Sequence, residues 1–298
     1  MPAKLTVCYS DQPAVETYLF EDSLYQIGRS QDCDVCLLHP SVSRKHAQVA
    51  YPEQAWVLSD VQSRNGTRVN GLKVTRSTLM EDAIISVGEL DCLFETKSRD
   101  QIQAMVAHDA WRKDQSLLTQ PVAVHLTQSL LMQLQNVLSL TGTQRGVVLL
   151  GERLDTLTLA ACLGFHANDF RVSEFEGSVG AISHCLEQGR QIVAMDTAKE
   201  HLLKHRKSIE LKQISSLACI PLKFKNTLIG VLYTDSKIAD KLLTELDLDI
   251  LSNIGDQVAA TMQSLLVQQT LDSIQKFGGM NFNGQAENEQ SHFLTLCH

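Results

Sequence analysis

The chain has 298 residues, of which 44% are hydrophobic, so it is long and apolar enough for two domains with packed cores. Its formal net charge of −8 argues against nonspecific nucleic-acid or anionic-membrane binding, which needs clustered Lys and Arg. The eight cysteines scatter from Cys8 to Cys297 and read as reduced thiols, not as a disulfide framework. No run is long enough for a membrane helix, and Met1-Pro2-Ala3-Lys4-Leu5-Thr6 lacks the apolar centre of a signal peptide; a cytoplasmic location is expected.

From the N-terminus to about residue 96, short apolar runs such as Val35 to Leu38 and Trp56-Val57-Leu58 alternate with polar loops. The loops carry Gly28-Arg29, Ser43-Arg44-Lys45-His46, Ser63-Arg64-Asn65-Gly66-Thr67 and Asn70-Gly71. Strands would bring these loops to one end. Arg29, Ser43, Arg44, Arg64 and Asn65 then offer forked guanidinium groups, a hydroxyl and an amide, the donor set that a phosphorylated side chain needs. Asn-Gly at 65–66 and 70–71 is a strong turn signal.

These spaced elements, Gly-Arg, Ser-Arg-x-His and Ser-x-Asn-Gly-Thr-x-x-Asn-Gly, resemble the forkhead-associated (FHA) domain over roughly residues 3–96. The resemblance implies an all-β sandwich that binds phosphothreonine peptides without catalysis. It implies that Arg29 and Ser43 grip the phosphate, that Arg44 and Arg64 sit in the recognition loops, and that Asn65 holds peptide backbone. Gly28, His46, Thr67 and Asn70 would support the site structurally. A phosphate-independent assembly surface is the competing reading of the same residues. The Cys33-x-x-Cys36 pair falls where the pattern expects a strand and has no second pair at zinc-ribbon spacing, so it reads as core packing and no metal is assigned.

Residues 97–118 read as a linker, polar at first and then carrying Ile102, Met105, Val106 and Trp111, which suit a short helix. After Pro121 a helical pattern runs through Val122, Leu126, Leu130, Leu134, Val137 and Leu138 to Gly142. Strands are predicted at 146–151 and 157–162, joined by a tight hairpin, then a helix from about Ser178 to Glu187 stopped by Gly189. Further strands at 191–196, 216–224 and 227–235 follow, the last two joined by the turn Lys225-Asn226. A long amphipathic helix carries Leu246, Ile250, Ile254, Val258, Met262 and Leu265. This order predicts an α+β domain with an antiparallel sheet.

That order, with Gly177-x-x-Gly180, Pro221-Leu222 and Ile229-Gly230-Val231-Leu232-Tyr233, resembles a GAF domain over residues 119–270. The resemblance implies a regulatory or dimerising module, and a small-molecule ligand in some members. The Asn-Lys-x-x-Phe-x-x-x-Asp-Glu pattern of cyclic-nucleotide binders is absent from the chain, so the GAF ligand, and any cofactor, stays unknown. His166, Asp196 and Tyr233 are candidate polar groups, each equally readable as a satisfied residue. His201 and His205 stand four apart among Lys204, Arg206 and Lys207, which disfavours a cation. Residues 271–298, rich in Gly and Asn, are expected to be a flexible tail.

The sequence lacks a phosphate-binding loop of the G-x-x-x-x-G-K-[ST] kind, a G-x-S-x-G elbow and the kinase H-R-D and D-F-G motifs. FHA and GAF modules together resemble the sensory front ends of bacterial transcription activators and nucleotide cyclases, which implies a bacterial signalling adaptor without enzymatic activity. Its expected partner is a phosphothreonine-containing protein, a Ser/Thr kinase or its substrate, and the apolar helices make a homodimer an expectation. The alternative is a GAF-centred small-molecule sensor or thiol reductase using Cys162, Cys185 or Cys219. Thiolates need exposed, electropositive settings, and these three lie in apolar runs.

Overall fold

The computed structural model describes residues 1–118, 126–165, 175–195, 214–238 and 241–279. The chain divides into two compact units, Met1–Trp111 and Arg112–His298. Pro121 and Val122, along with residues 280–298 of the expected tail, lie outside the described residues.

The first unit holds strands β1 (Ala3–Cys8), β2 (Val15–Leu19), β3 (Tyr25–Gly28), β4 (Val35–Cys36), β5 (Ala47–Ala50), β6 (Val57–Asp60), β7 (Thr67–Val69), β8 (Leu72–Val74), β9 (Arg76–Thr78), β10 (Asp82–Val87) and β11 (Leu90–Thr96). They form a six-stranded sheet, β2-β1-β11-β10-β7-β8, and a five-stranded sheet, β4-β3-β5-β6-β9. The period-two alternation of each strand turns one row of side chains into a shared core. In β10, Ala83, Ile85 and Val87 face inward while Asp82 and Ile84 face out. Leu5, Ile27, Val49, Leu58 and Phe94 join them in one buried cluster. Trp56 packs edge-on against Phe94 at 6.1 Å and donates from Nε1 to the Met1 carbonyl at 2.8 Å. Asn70 and Gly71 take φ of 49° and 81°, the positive values that a two-residue hairpin turn between β7 and β8 demands.

Helix α1 (Arg99–Leu117) occupies most of the expected linker. Its start is a reciprocal cap in which the Gln101 N–H donates to Ser98 Oγ at 3.1 Å and the Ser98 N–H donates to Gln101 Oε1 at 2.8 Å. Ile102 is buried. Further along, Arg112 Nε donates to the Leu140 carbonyl at 2.7 Å and its guanidinium pairs with Asp247, within the second unit. Ser116 there accepts hydrogen bonds from Asn253 at 3.1 Å and Gln257 at 2.9 Å.

The second unit holds α2 (Leu126–Thr141), β12 (Arg145–Leu150), β13 (Thr158–Leu163), α3 (Val179–Gln188), β14 (Ile192–Met195), β15 (Ser216–Phe224), β16 (Thr227–Ser236) and α4 (Glu245–Gly279). The sheet order is β13-β12-β16-β15-β14, and every pair is antiparallel. Alternation divides the sheet between two cores. Val148, Ala218, Ile220 and Leu232 pack with Leu134 of α2 and Ile254, Val258 and Met262 of α4. Val147, Leu149, Cys219, Val231 and Tyr233 pack with Ile182 and Cys185 of α3. The buried rows of α2 and α4 therefore cover this unit's own sheet.

Local chemistry sets the boundaries. Ser178 caps α3 by accepting from the Ala181 N–H at 3.3 Å, and Gly189, at φ 59°, ends it in the left-handed region where a side chain is strained. Lys225 and Asn226, at φ 47° and 67°, close the β15–β16 hairpin. Pro221 is tolerated because β14 pairs only with Ser216 to Cys219, which leaves β15 an edge at that point. The link between β12 and β13 is longer than a tight hairpin and includes a 3-10 turn at Leu154–Thr156. Helix α4 runs to Gly279, past the point where a tail was expected to begin, because Val267, Leu271 and Ile274 keep helical spacing and no Gly stands between Gly255 and Gly278. Among the described residues no helix is long and apolar enough to cross a membrane.

Candidate functional site

The loops after β3, β4 and β6 are stitched together at one end of the sandwich. The Arg29 N–H donates to the Ser43 carbonyl at 2.9 Å, and the Ser30 N–H to the Arg44 carbonyl at 3.1 Å. A Cβ on Gly28 would sit 2.3 Å from the Arg44 oxygen, so any larger residue before Arg29 would push these two loops apart. Ser43 Oγ accepts from the Arg64 N–H at 3.0 Å, and Asn65 Nδ2 donates to the Ser41 carbonyl at 2.7 Å. Ser41 Oγ in turn accepts from the Glu89 N–H at 2.9 Å.

His46 is fully buried behind these loops. The Ser43 N–H donates to its Nδ1 at 3.0 Å, which makes Nδ1 the acceptor and places the ring proton on Nε2. Nε2 then donates to the Gly66 carbonyl at 3.1 Å, so one imidazole spans two loops. Thr67 is also buried, and its hydroxyl donates to Asp60 Oδ2 at 2.6 Å. Asp60 further accepts from the Ser63 N–H at 2.9 Å and the Ser63 hydroxyl at 2.6 Å, while the Gly66 N–H donates to Ser63 Oγ at 2.9 Å. Burial opposes ionisation of Asp60, but the Ser63 and Thr67 hydrogen bonds outweigh it and hold its carboxyl below the ordinary value. Asp60 escaped the sequence reading; its signal was the Asp-x-x-Ser spacing of a side chain that bonds a backbone N–H ahead of it. Asn70 holds its hairpin to β10, its N–H donating to the Ile84 carbonyl at 2.8 Å and its Oδ1 accepting from the Ile84 N–H at 2.9 Å.

Thus direct bonds to Ser43 tie Arg29 and Arg64 together, while Asn65 is held through Ser41 and Arg44 through Ser30. Arg29, Arg44 and Arg64 are exposed. Among the described residues none of the three is paired with a carboxylate, although residues 1–96 hold thirteen acidic residues against eight basic ones. Arg29 Nε donates to the Val42 carbonyl at 3.3 Å, and guanidinium groups without a carboxylate partner around a half-buried hydroxyl suit a dianion. Cys33 is buried and its thiol donates to the Arg44 carbonyl at 3.3 Å; burial pushes that thiol's pKa up. Cys36 Sγ donates to the Arg29 carbonyl at 3.9 Å. Cys33 is buried but precedes β4, and Cys36, at the end of that two-residue strand, is only half-buried, so the pair does not sit on one strand in the core as expected.

In the second unit, Arg145 is buried at the end of β12 and donates from Nε and Nη2 to the two oxygens of Asp235, both at 2.7 Å. Its Nη1 donates to Glu176 Oε2 at 2.8 Å, and its guanidinium stacks 4.4 Å over the Phe165 ring. Tyr233 is fully buried; its hydroxyl donates to Asp235 at 2.7 Å and accepts from the Ser178 N–H at 3.0 Å. Cys162, Cys185 and Cys219 are buried, and burial pushes the Cys185 thiol to about 12 and raises Cys219 as well. An open cleft of about 760 Å³ beside α3 is lined by Arg153, Asp155, Leu157, Ser183 and Glu187, with Arg153 and Asp155 already paired at 2.8 Å. Among the described residues no group of three His, Cys, Asp or Glu side chains is placed to hold a metal. His166, Asp196, His201 and His205 lie outside the described residues.

Comparison with known proteins matches two family models, the FHA domain at residues 25–88 and the GAF domain at residues 125–262. The FHA domain-containing protein FhaA of Mycobacterium tuberculosis is 31% identical over 83 residues, which cover 28% of this chain and 16% of FhaA. The ABC transporter ATP-binding/permease protein Rv1747 of the same organism is 32% identical over 69 residues, covering 23% of this chain and 8% of that protein. The match thus spans less than a fifth of either curated relative. The FHA domain of CT664 from Chlamydia trachomatis is similar to this structure with a TM-score of 0.31 and 26% identity, over 33% of this chain and all of that one. The sandwich with its stitched loops and the five-stranded α+β unit fit the two models in turn, and the chain contains an FHA domain over residues 25–88 and a GAF domain over residues 125–262.

Proposed function

We propose that the chain is a non-catalytic signalling adaptor whose FHA domain binds a phosphothreonine-containing segment of a partner protein. The observation that carries this reading is the tie between loops, in which Ser43 receives the Arg64 N–H while its own carbonyl fixes the Arg29 N–H. Bound phosphate sits between Arg29 and Ser43, each donating to its oxygens. Arg44 and Arg64 supply further charge from the rim, and Asn65 engages the peptide backbone. Gly28, His46, Thr67 and Asn70 keep the loops in register without touching the ligand. A Ser/Thr kinase reaction must supply such a ligand, so the partner is a kinase or its substrate.

In this reading residues 1–96 are the phosphopeptide-binding domain, 97–118 the connector, and 119–270 the GAF module that regulates or dimerises the adaptor. Thiol chemistry in the GAF module is disfavoured because burial keeps the Cys185 and Cys219 thiols protonated at neutral pH.

The test is binding of a degenerate phosphothreonine peptide library, with matched unphosphorylated peptides, to the wild type and to Arg29→Ala. Phosphate-dependent binding that Arg29→Ala weakens by about 2–4 kcal/mol, thirty- to a thousandfold, is the expected result. Equal binding of both libraries would replace this reading with a phosphate-independent assembly surface.

A further inference from the structure

The basic character of the site continues past its loops. Residues 1–96 have eight Lys and Arg, and six of them are Arg29, Arg44, Lys45, Arg64, Arg68 and Lys73. The last two have no role in the loops described above. Arg68 in β7 stands directly opposite Lys73 in β8. Thr67 and Val69 on either side of Arg68 are buried, so Arg68 projects from the outer face of the six-stranded sheet. Both cations are exposed.

Like charges directly opposite on antiparallel strands repel and destabilise the pair. A carboxylate on the next strand would relieve the repulsion, but the residue facing Arg68 from β10 is Ser86. Among the described residues neither cation is paired with an acid, in a domain where acids outnumber bases. Lys73 also leans toward the recognition loop. Its Cε would lie 2.8 Å from a Cβ on Gly66, the residue whose carbonyl receives His46 and which follows Arg64 and Asn65. A cationic strip therefore runs from Arg64 past Gly66 to Lys73 and Arg68.

We propose that Arg68 and Lys73 form a second anion subsite, which takes an acidic group of the same peptide that presents its phosphothreonine to Arg29 and Ser43. The inference rests on the phosphopeptide reading above and names the class of ligand as an acidic phosphopeptide. Arg68 lies two strand residues beyond Gly66, about 7 Å, a span that an extended peptide covers in about two residues. The acidic group accordingly belongs within a few positions of the phosphothreonine. A carboxylate and a second phosphate share the required chemistry.

The experiment measures fluorescence anisotropy of the full chain with three labelled degenerate libraries built around a fixed phosphothreonine. One has neutral flanks, one has Asp and Glu in the flanks, and one has a second phosphothreonine. Each is titrated with wild type, Arg68→Gln/Lys73→Gln, Arg68→Glu/Lys73→Glu and Arg29→Ala. Wild type is expected to favour an acidic library over the neutral one by about tenfold, in line with a pair of partly exposed charge contacts. Whichever acidic library gains identifies carboxylate or phosphate as the group read. The ratio should fall to near one in Arg68→Gln/Lys73→Gln, and the Glu variant should disfavour both acidic libraries.

Equal affinity of wild type for all three libraries overturns the subsite and leaves the phosphothreonine reading standing. A preference that survives in Arg68→Gln/Lys73→Gln, or a uniform loss across all libraries in that variant, overturns it too and marks the two cations as a solvated surface pair. Binding that Arg29→Ala leaves intact overturns the phosphothreonine reading, and the subsite falls with it.

Discussion

The FHA and GAF domains use arginine in opposite ways. Arg145 in the GAF sheet is buried, gives two bonds of 2.7 Å to Asp235 and another of 2.8 Å to Glu176, and lies 4.4 Å over the Phe165 ring. Arg29, Arg44 and Arg64 in the FHA loops are exposed, and among the described residues no carboxylate is paired with them. A guanidinium removed from water must be paired inside the fold, because the cost of desolvation exceeds what folding otherwise gains. One left at the surface without an acid stays hydrated and, in the proposed reading, is available to a phosphate. The proposed phosphate site, in a domain richer in acid than base, therefore depends on where acids are missing as much as on where arginines stand.

Breaking the Arg145 cluster should have the largest effect. Asp235→Asn keeps the shape but leaves a buried guanidinium short of its counter-charge, with an expected cost of about 3–5 kcal/mol. Hydrogen exchange read by mass spectrometry should show lost protection in β12 and β16 while β5 and β10 stay protected. A double variant, Arg145→Met/Asp235→Leu, should be less damaging than Asp235→Asn alone, since it removes both charges. Equal damage in the two would mean that the cluster packs rather than pairs. Arg29→Ala is the opposite case. It should change stability by less than about 0.5 kcal/mol, as an exposed side chain does, while removing most phosphopeptide binding. A large loss of stability there would blur the contrast between the two domains.

His46→Ala stands between these extremes, because His46 is buried and, in the proposed reading, acts on the ligand only through the loops it braces. It orphans the Ser43 N–H and the Gly66 carbonyl and leaves a void, at a cost of about 2–3 kcal/mol. Trp56, buried in the same core, reports the loss through fluorescence in a urea titration. Binding should weaken with it, because the loops bearing Ser43 and Arg64 lose their shared brace. A binding defect without a stability defect would place the imidazole in contact with ligand.

Most of this was readable from short-range chemistry. Asn70-Gly71 and Lys225-Asn226 mark hairpins because their positive φ values are demanded locally, and Ser178 and Gly189 bound α3 for the same kind of reason. The continuous apolar run from Leu228 to Tyr233 marks β16, and from Gly230 to Ser236 both of its faces are buried. The Ser98-x-x-Gln101 cap was also present, but the polar stretch around it reads as a boundary, and α1 is long where a short helix was expected. Pairings across long separations were not readable. Arg145 and Asp235 lie 90 residues apart, and only the β12–β16 register brings them together. Asn65 carried a binding role by resemblance, yet its amide also ties Ser41 from 24 residues away, which no spacing announces.

Asp60 gives a smaller effect than His46, and one with a built-in direction. Its carboxylate gathers Ser63 and Thr67 and so shapes the loop that carries Arg64 and Asn65. Its folded pKa lies below the ordinary value of 3.8, so folding favours the ionised form. The stabilisation is fully present above the unfolded-state value of about 3.9 and is lost as pH falls through the lower folded value. Asp60→Asn keeps the side chain's shape but accepts through a neutral oxygen, and should cost about 1–2 kcal/mol near neutral pH. Urea titrations of the two proteins from pH 7 to pH 3 should show a gap that is constant down to about pH 5 and narrows below about pH 4 as Asp60 takes up its proton. A gap that stayed constant to pH 3 would assign the stabilisation to the shape of the loop and not to the charge at its centre.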